Sequence, residues 1–140
     1  MKISTKGRYA LRLMLDLALC DGEAAVPLRD VAQRQGISDK YLEQIVTQLA
    51  RGGLVRSVRG AGGGYLLTRK PEEYTAGEIL RQLEGSLAPV SCAGGACCER
   101  AEQCVTVELW QQIRAAVDGV VDNVTLADLV TRYYEKNPKG

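Results

Sequence analysis

The sequence predicts a mainly α-helical fold with one small β-hairpin and a long C-terminal helix. Apolar residues recur at helical spacing along most of the chain, and two short runs of strand-forming residues flank a glycine-rich segment. From residue 105 onward, apolar residues follow one another at steps of three to four residues. At 140 residues, the chain has room for one compact domain and an appended oligomerisation element.

Three helices and two strands are predicted in the first half of the chain, over residues 8–20, 27–35, 38–51, 54–58 and 65–68. Pro27 suits the first turn of the second helix, and Gly36 permits a sharp turn after it. Ser38 is a good N-cap for the third helix. The segment 59–64 is rich in glycine, which predicts a hairpin with a flexible tip.

Three more helices are predicted in the second half, over residues 75–85, 105–124 and 125–134. The first of them opens on a capping box at residues 75–78. The long helix carries more apolar surface than a domain of about 70 residues needs for its own core. We therefore expect two copies of the chain to pack together through this helix.

Charge is distributed unevenly along the sequence. Residues 1–70 contain 12 Lys and Arg against 6 Asp and Glu, a net charge of +6, whereas residues 71–140 contain 6 against 11, a net charge of −5. A basic half suits a partner that is a polyanion, because contacts to phosphates release counterions. Chance segregation of solvated charges is the alternative interpretation.

Composition excludes several classes of protein. Histidine is absent, which removes every Ser-His, Cys-His and His-metal scheme from this chain acting alone. No apolar run has the length of a membrane span, and residues 1–5 lack the apolar core of an export signal. We therefore expect a cytoplasmic protein without a membrane partner. A redox enzyme is the competing class, but the missing histidine and the missing alternation of parallel strands and helices disfavour it.

Residues 28–68 follow the order helix, turn, helix, hairpin, which is typical of a winged helix-turn-helix. On the third helix, four apolar residues share one arc of the helical wheel: Leu42, Ile45, Val46 and Leu49. The residues outside that arc carry hydrogen-bonding side chains: Lys40, Tyr41, Gln44, Thr47, Gln48 and Arg51. Such a helix fits the major groove of DNA, where Gln pairs with adenine and Lys or Arg with guanine. A solvated helix face is the alternative.

The hairpin extends this basic surface. Its arginines flank a glycine-rich tip, and a narrow minor groove attracts arginine. The N–H groups beside Ser38 can hold a phosphate. The segment 60–64 lacks the Lys-Ser/Thr pair that follows a nucleotide-binding loop, which disfavours that rival. The candidate DNA contacts are Ser38, Lys40, Tyr41, Gln44, Gln48, Arg51, Arg56, Arg59 and Gly60.

Four cysteines lie within thirteen residues: Cys92, Cys97, Cys98 and Cys104. In a chain expected to stay in the cytoplasm, such a cluster indicates metal or redox chemistry rather than structural disulfides. Thiolates favour iron-sulfur clusters, zinc or cuprous ions, and the spacing alone does not choose among them. The Cys-x2-Cys pairs of a zinc knuckle are missing, which disfavours zinc. The fifth cysteine, Cys20, is expected to be a small core residue.

Three segments closely resemble the IscR, NsrR and CymR family of bacterial winged-helix transcriptional regulators: residues 1–10, 36–44 and 53–67. The resemblance continues through residues 75–78 and 104–106 to Leu109 and Trp110, so it covers nearly the whole chain. It implies a homodimer joined through the long C-terminal helix, with one recognition helix and one wing on each half-site of double-stranded operator DNA. It also implies a 2Fe-2S cluster near the dimer interface.

The chain is most similar to the IscR branch of that family, whose three cysteine ligands have the spacing of Cys92, Cys98 and Cys104. That branch places a histidine ligand three residues after the last cysteine, whereas Val107 stands there in this chain. The fourth ligand is therefore open, with Cys97 and Glu108 as candidates and a carboxylate of the partner chain as a further one.

The resemblance implies a repressor, with activation as a second mode, that senses iron-sulfur status or redox state through the cluster. A cluster-free repressor of cysteine or sulfur metabolism, responsive to thiols or metals, is the alternative; CymR-like chains lack this cysteine cluster, which disfavours it. We predict a DNA-binding domain over residues 1–85, a cluster-binding loop over residues 86–104, and a dimerisation helix with a C-terminal tail over residues 105–140.

Overall fold

A computed structural model describes residues 2–20, 23–94 and 98–138. Within these ranges the helices are α1 (Thr5–Leu19), α2 (Leu28–Gln35), α3 (Asp39–Arg51), α4 (Ala76–Glu84), α5 (Val105–Val121) and α6 (Leu126–Lys136). The strands are β1 (Val55–Val58) and β2 (Gly64–Leu67), and short 3-10 helices cover Pro71–Glu73 and Ser91–Gly94. The predicted order of six helices around one hairpin is confirmed.

Side-chain caps set where α1, α3, α4 and α6 begin. Ser4 accepts a hydrogen bond from the Gly7 N–H at 3.2 Å, so α1 begins three residues earlier than its apolar spacing predicts. Ser38 caps α3 in the same way, because its hydroxyl accepts from the Tyr41 N–H. Gly36 takes a left-handed conformation with φ of 66°, which ends α2 and turns the chain into α3.

The hydrophobic core lies between α1, α3 and α4 and is closed by α6. Tyr74 is fully buried there, and its hydroxyl donates to the Leu54 carbonyl at 2.8 Å while the N–H groups of Thr68 and Arg69 donate to it. Leu126, at the start of α6, is also fully buried in this core. The DNA-binding domain limits of 1–85 stay a prediction, and α6 packs against α1 although it lies outside them.

The segment between α5 and α6 pairs with the residues that lead into α4. The Ala76 N–H donates to the Val124 carbonyl at 2.8 Å, and the Leu126 N–H donates to the Tyr74 carbonyl at 3.0 Å. The first of these bonds engages Val124, which the apolar spacing places in the long helix. The end of α5 at Val121, rather than at 124, follows from this pairing.

The hairpin is anchored to the entry of α2. Its strands pair antiparallel, and Tyr65 of β2 also exchanges two backbone hydrogen bonds of 3.0 and 2.9 Å with Val26, just before α2. A side chain at Gly64 would collide with the backbone of Val26 and Pro27, so glycine is required at this close approach. The hairpin base is thus fixed to the helix-turn-helix, and its tip projects from it.

Helix α5 is weakly packed compared with the other helices. None of its residues is buried, and three large apolar side chains are exposed: Val105 by 80%, Leu109 by 49% and Val120 by 64%. In the described part of the chain, no helix combines the length and apolar character needed to cross a membrane.

Candidate functional site

The exposed face of α3 carries the central candidates for base contacts. Lys40, Gln44 and Arg51 are exposed on the side opposite the four buried apolar residues of this helix. Because that apolar side is fixed in the core, the outer face has a defined orientation relative to the rest of the domain. Two cations and an amide along one side of a helix can reach the edges of several base pairs in the major groove.

Two other candidates on α3 lie at the flank of this face and are half-buried. The Tyr41 ring packs edge-on against Tyr9 of α1, with 5.6 Å between ring centroids. The Gln48 carbonyl accepts a hydrogen bond of 2.9 Å from the Gln82 side chain of α4. The side-chain oxygen of Gln48 is buried and has no hydrogen-bond partner among the described residues. The edge of the α3 face is therefore built jointly with α1 and α4.

Ser38 and the hairpin supply the remaining candidates. Ser38 is exposed and its hydroxyl oxygen is used as the α3 cap, which leaves the hydroxyl proton and the first N–H groups of the helix available to a phosphate. Arg56 in β1 and Arg59 just after it are exposed. Gly60 has a φ of 106°, a conformation that favours glycine, at the turn of the hairpin.

An ion pair behind the helix-turn-helix, between buried Asp16 and exposed Arg34, was not predicted from the sequence. Asp16 of α1 is 3% exposed, and its carboxylate accepts from the Arg34 guanidinium at 2.7 Å and from Gln35 at 3.0 Å. Hydrogen bonding to Asp16 raises the pKa of Arg34. The charge of Asp16 within an apolar stripe was the available signal, because a charge at such a position needs a partner. The pair fixes α2 against α1 just before the turn into α3.

Cys20 packs at the edge of the core, as predicted. Its sulfur lies 3.9 Å from Asp16 and 3.6 Å from Arg34. Burial raises the pKa of this thiol, which disfavours its thiolate. Cys20 thus favours the thiol form, and it lies outside the cysteine loop (residues 92–104).

The cysteines of the loop differ in their surroundings. Cys92 is half-buried in the 3-10 helix Ser91–Gly94, Cys98 is exposed, and Cys104 is the N-cap of α5. The Cys104 sulfur lies 3.1 Å from the Thr106 hydroxyl. Hydrogen bonds from that hydroxyl and from the first N–H groups of α5 lower the pKa of Cys104, which favours the thiolate that binds metal.

The candidates for a fourth ligand are placed differently. Glu108 is exposed in the first turn of α5, and Cys97 lies outside the described residues. Among the residues that the structure describes, no three Cys, Asp or Glu side chains form a group able to hold a metal ion. The donor types suit an iron-sulfur cluster, but the described residues give no ligand geometry for one.

Polar contacts connect the cysteine loop to α4. The Arg114 guanidinium of α5 donates to the carbonyl of Ala93, the residue after Cys92. Arg114 also lies 3.6 Å from Asp118, which in turn accepts from Arg81 of α4 at 2.7 Å. A chain of polar contacts thus runs from the residue beside Cys92 to the helix that supports α3.

The sequence as a whole matches one family. The model of the Rrf2 family, described as an iron-dependent transcriptional regulator, matches residues 3–132. The chain is 43% identical to the HTH-type transcriptional regulator IscR of Serratia proteamaculans over 130 residues, which are 93% of this chain and 79% of that protein. It is 47% identical to the HTH-type transcriptional regulator CymR of Bacillus subtilis over 131 residues, 94% of this chain and 91% of that protein.

Solved structures are similar over the same length. CymR, described as the global cysteine regulator of B. subtilis, superposes with a TM-score of 0.79 at 45% identity and covers 94% of this chain and 98% of its own. T. potens IscR superposes with a TM-score of 0.82 at 38% identity and covers 100% of this chain and 93% of its own. These similarities confirm the predicted winged-helix fold. The relatives are named as transcriptional regulators, which confirms the prediction that the chain is not an enzyme.

Proposed function

Since this chain belongs to the Rrf2 family of transcriptional regulators, we propose that it represses transcription by placing α3 in the major groove of operator DNA. The observation that carries this proposal is the exposed face with Lys40, Gln44 and Arg51, which lies on a helix whose opposite side is fully buried. Arg56 and Arg59 on the hairpin add positive charge for the DNA backbone or the minor groove.

The proposed active form is a homodimer joined through α5. This helix has no buried residue in one chain, and Leu109 and Val120 lie eleven residues apart on the same side of it. Burying such exposed apolar side chains against a second copy removes them from water. A twofold dimer presents two copies of α3, so the operator is expected to be approximately palindromic.

The proposed signal is a 2Fe-2S cluster held by Cys92, Cys98 and Cys104, with Cys97 or Glu108 as the fourth ligand. The lowered pKa of Cys104 and the exposure of Cys98 support this assignment, because iron binds thiolates from accessible cysteines. When bound, the cluster supplies a group that responds to iron supply and to oxidants. A repressor with such a group reports iron-sulfur status or redox state.

A second candidate function is a repressor of cysteine or sulfur metabolism that works without a cluster. The observation that favours it is the 47% identity to the CymR of B. subtilis, together with the lack of a three-ligand group among the described residues. The four cysteines in residues 92–104 favour the cluster, since a sensor without metal has no need of so many thiols at this spacing.

Binding to duplex DNA tests the proposal. Duplexes are selected from a random pool by the wild-type protein, and the affinity for the selected duplex is compared with that for a scrambled one at several salt concentrations. We expect at least about a thousandfold preference for the selected duplex at physiological salt. Equal affinity for both duplexes would contradict the proposal, because binding would then depend on backbone charge alone.

A further inference from the structure

Thr47 lies near the centre of the exposed face of α3, and its hydroxyl is already engaged. The Oγ1 atom donates a hydrogen bond of 2.7 Å to the carbonyl of Glu43, one turn earlier in the helix. Thr47 is exposed and lies on the opposite side of the helix from buried Leu49. Its neighbours on the face are Gln44, three residues before it, and Arg51, four residues after it.

This hydrogen bond decides what Thr47 presents to a partner. With the hydroxyl directed to the backbone of its own helix, the γ-methyl is the group left on the outer surface. A single methyl group therefore lies on this face of the helix between the positions of Gln44 and Arg51. In the major groove, thymine also carries a methyl group, and contact between a threonine methyl and the thymine 5-methyl is an established way of reading that base.

We propose that Thr47 determines specificity for thymine, by packing its γ-methyl against the 5-methyl group of a thymine in the operator. The inference rests on the proposed function, because it requires α3 in the major groove. From Gln44 to Thr47 the helix advances about 4.5 Å, close to the spacing of about 3.4 Å between base pairs. We therefore expect the thymine read by Thr47 to lie close to the base pair read by Gln44 in the same half-site.

A contact through the Thr47 hydroxyl would respond to substitutions in the opposite way from a contact through the methyl group. If the hydroxyl turned away from Glu43 and bound a base, the hydroxyl rather than the methyl would carry the specificity. Thr47→Val keeps a methyl group and removes the hydroxyl, whereas Thr47→Ser keeps the hydroxyl and removes the methyl. On the DNA side, uracil in place of thymine removes only the 5-methyl group. These three changes separate the two roles.

The experiment uses a duplex selected by the wild-type protein, with each thymine replaced in turn by uracil. For the wild type and for Thr47→Val, we expect one replacement in each half-site to weaken binding about three- to fivefold, the effect of removing one buried methyl group. For Thr47→Ser, we expect the same uracil duplex and the thymine duplex to bind equally. The control is Thr131→Ser in α6, where the hydroxyl makes the same kind of bond to the Ala127 carbonyl at 3.2 Å.

Each outcome bears on the inference. Wild-type binding that is indifferent to uracil at every position would overturn it, and so would a Thr47→Ser protein that keeps the wild-type sensitivity to uracil. Loss of specificity in Thr47→Val, with specificity kept in Thr47→Ser, would assign the role to the hydroxyl and overturn the methyl contact. A failure of the proposed function is distinguishable, because the wild type would then not prefer its selected duplex over a scrambled one.

Discussion

Arg81 in α4 and Asp118 in α5 form an ion pair of 2.7 Å that connects the core helices to the helix beside the cysteine loop. On its other side, Asp118 faces Arg114, whose guanidinium also holds the Ala93 carbonyl. These polar contacts help to attach α5, which has no buried residue, to the rest of one chain. Asp122 adds a second carboxylate to Arg81, and Arg81 lowers the pKa of Asp122.

Arg114 is expected to position the turn that carries Cys92. In Arg114→Gln, the Ala93 carbonyl loses its charged donor, and the turn becomes free to move away from α5. We expect this variant, reconstituted with iron and sulfide, to lose the visible absorption of its cluster about ten times faster than the wild type when a chelator is added. Arg132→Gln, at an exposed position of α6, is the control. Equal rates in all three proteins would show that Arg114 does not position this turn.

Gln44 is expected to read a base, whereas Arg59 contributes mainly charge. Gln44→Ala should reduce discrimination between operator variants by about 1 to 3 kcal/mol at one position of each half-site. Arg59→Ala should weaken binding to all duplexes alike and reduce the slope of affinity against salt concentration. Titrations of both variants over several salt concentrations separate these effects. Unchanged selectivity in Gln44→Ala would remove this residue from the base contacts.

The part of the site that follows from a regular period was predictable from the sequence. The outer face of α3 followed from the spacing of Leu42, Ile45 and Leu49, since a helix places such residues on one side. The wheel did not reveal that Tyr41 and Gln48 are half-buried, because their burial depends on the approach of α1 and α4.

Contacts between distant segments were not predictable in the same way. Arg34 is 18 residues from Asp16, and Arg114 is 21 residues from Ala93, so both pairings depend on how the helices pack. The start of α1 was missed for a local reason, because Ser4 acts as a cap ahead of the first apolar residue of the stripe. No helical or strand period runs through the cysteine loop. Its four thiols therefore indicated which donor atoms are available, but not how they are arranged.

The exposed side of α5 is expected to be the dimer interface. Leu109→Asp combined with Val120→Asp places two charges on that side, and a dimer would have to bury them. We expect the double variant to sediment as a monomer at concentrations where the wild type is a dimer. Gln111→Asp adds a charge on the opposite side of the helix and should leave the dimer intact. A double variant with the sedimentation of the wild type would refute this interface.

The buried hydroxyl of Tyr74 is expected to stabilise the junction of the hairpin and α4. In Tyr74→Phe, the Leu54 carbonyl and the N–H groups of Thr68 and Arg69 lose their shared partner inside the core. We expect the free energy of unfolding, measured in urea, to fall by about 2 to 4 kcal/mol. Tyr133→Phe, at a position where the residue is exposed, should change it by less than about 0.5 kcal/mol. Equal stabilities of the two variants would contradict this role.

The iron and sulfide content of protein reconstituted without oxygen tests the cluster assignment most directly. We predict about two iron and two sulfide ions per chain in the wild type and in Cys20→Ala, and a loss of most of both in Cys92→Ala, Cys98→Ala and Cys104→Ala. Loss of the cluster's visible absorption in Cys97→Ala would assign the fourth ligand to that thiol. A changed visible spectrum in Glu108→Ala would assign it to an oxygen. One equivalent of zinc with no iron or sulfide would contradict the cluster and leave a zinc or thiol sensor.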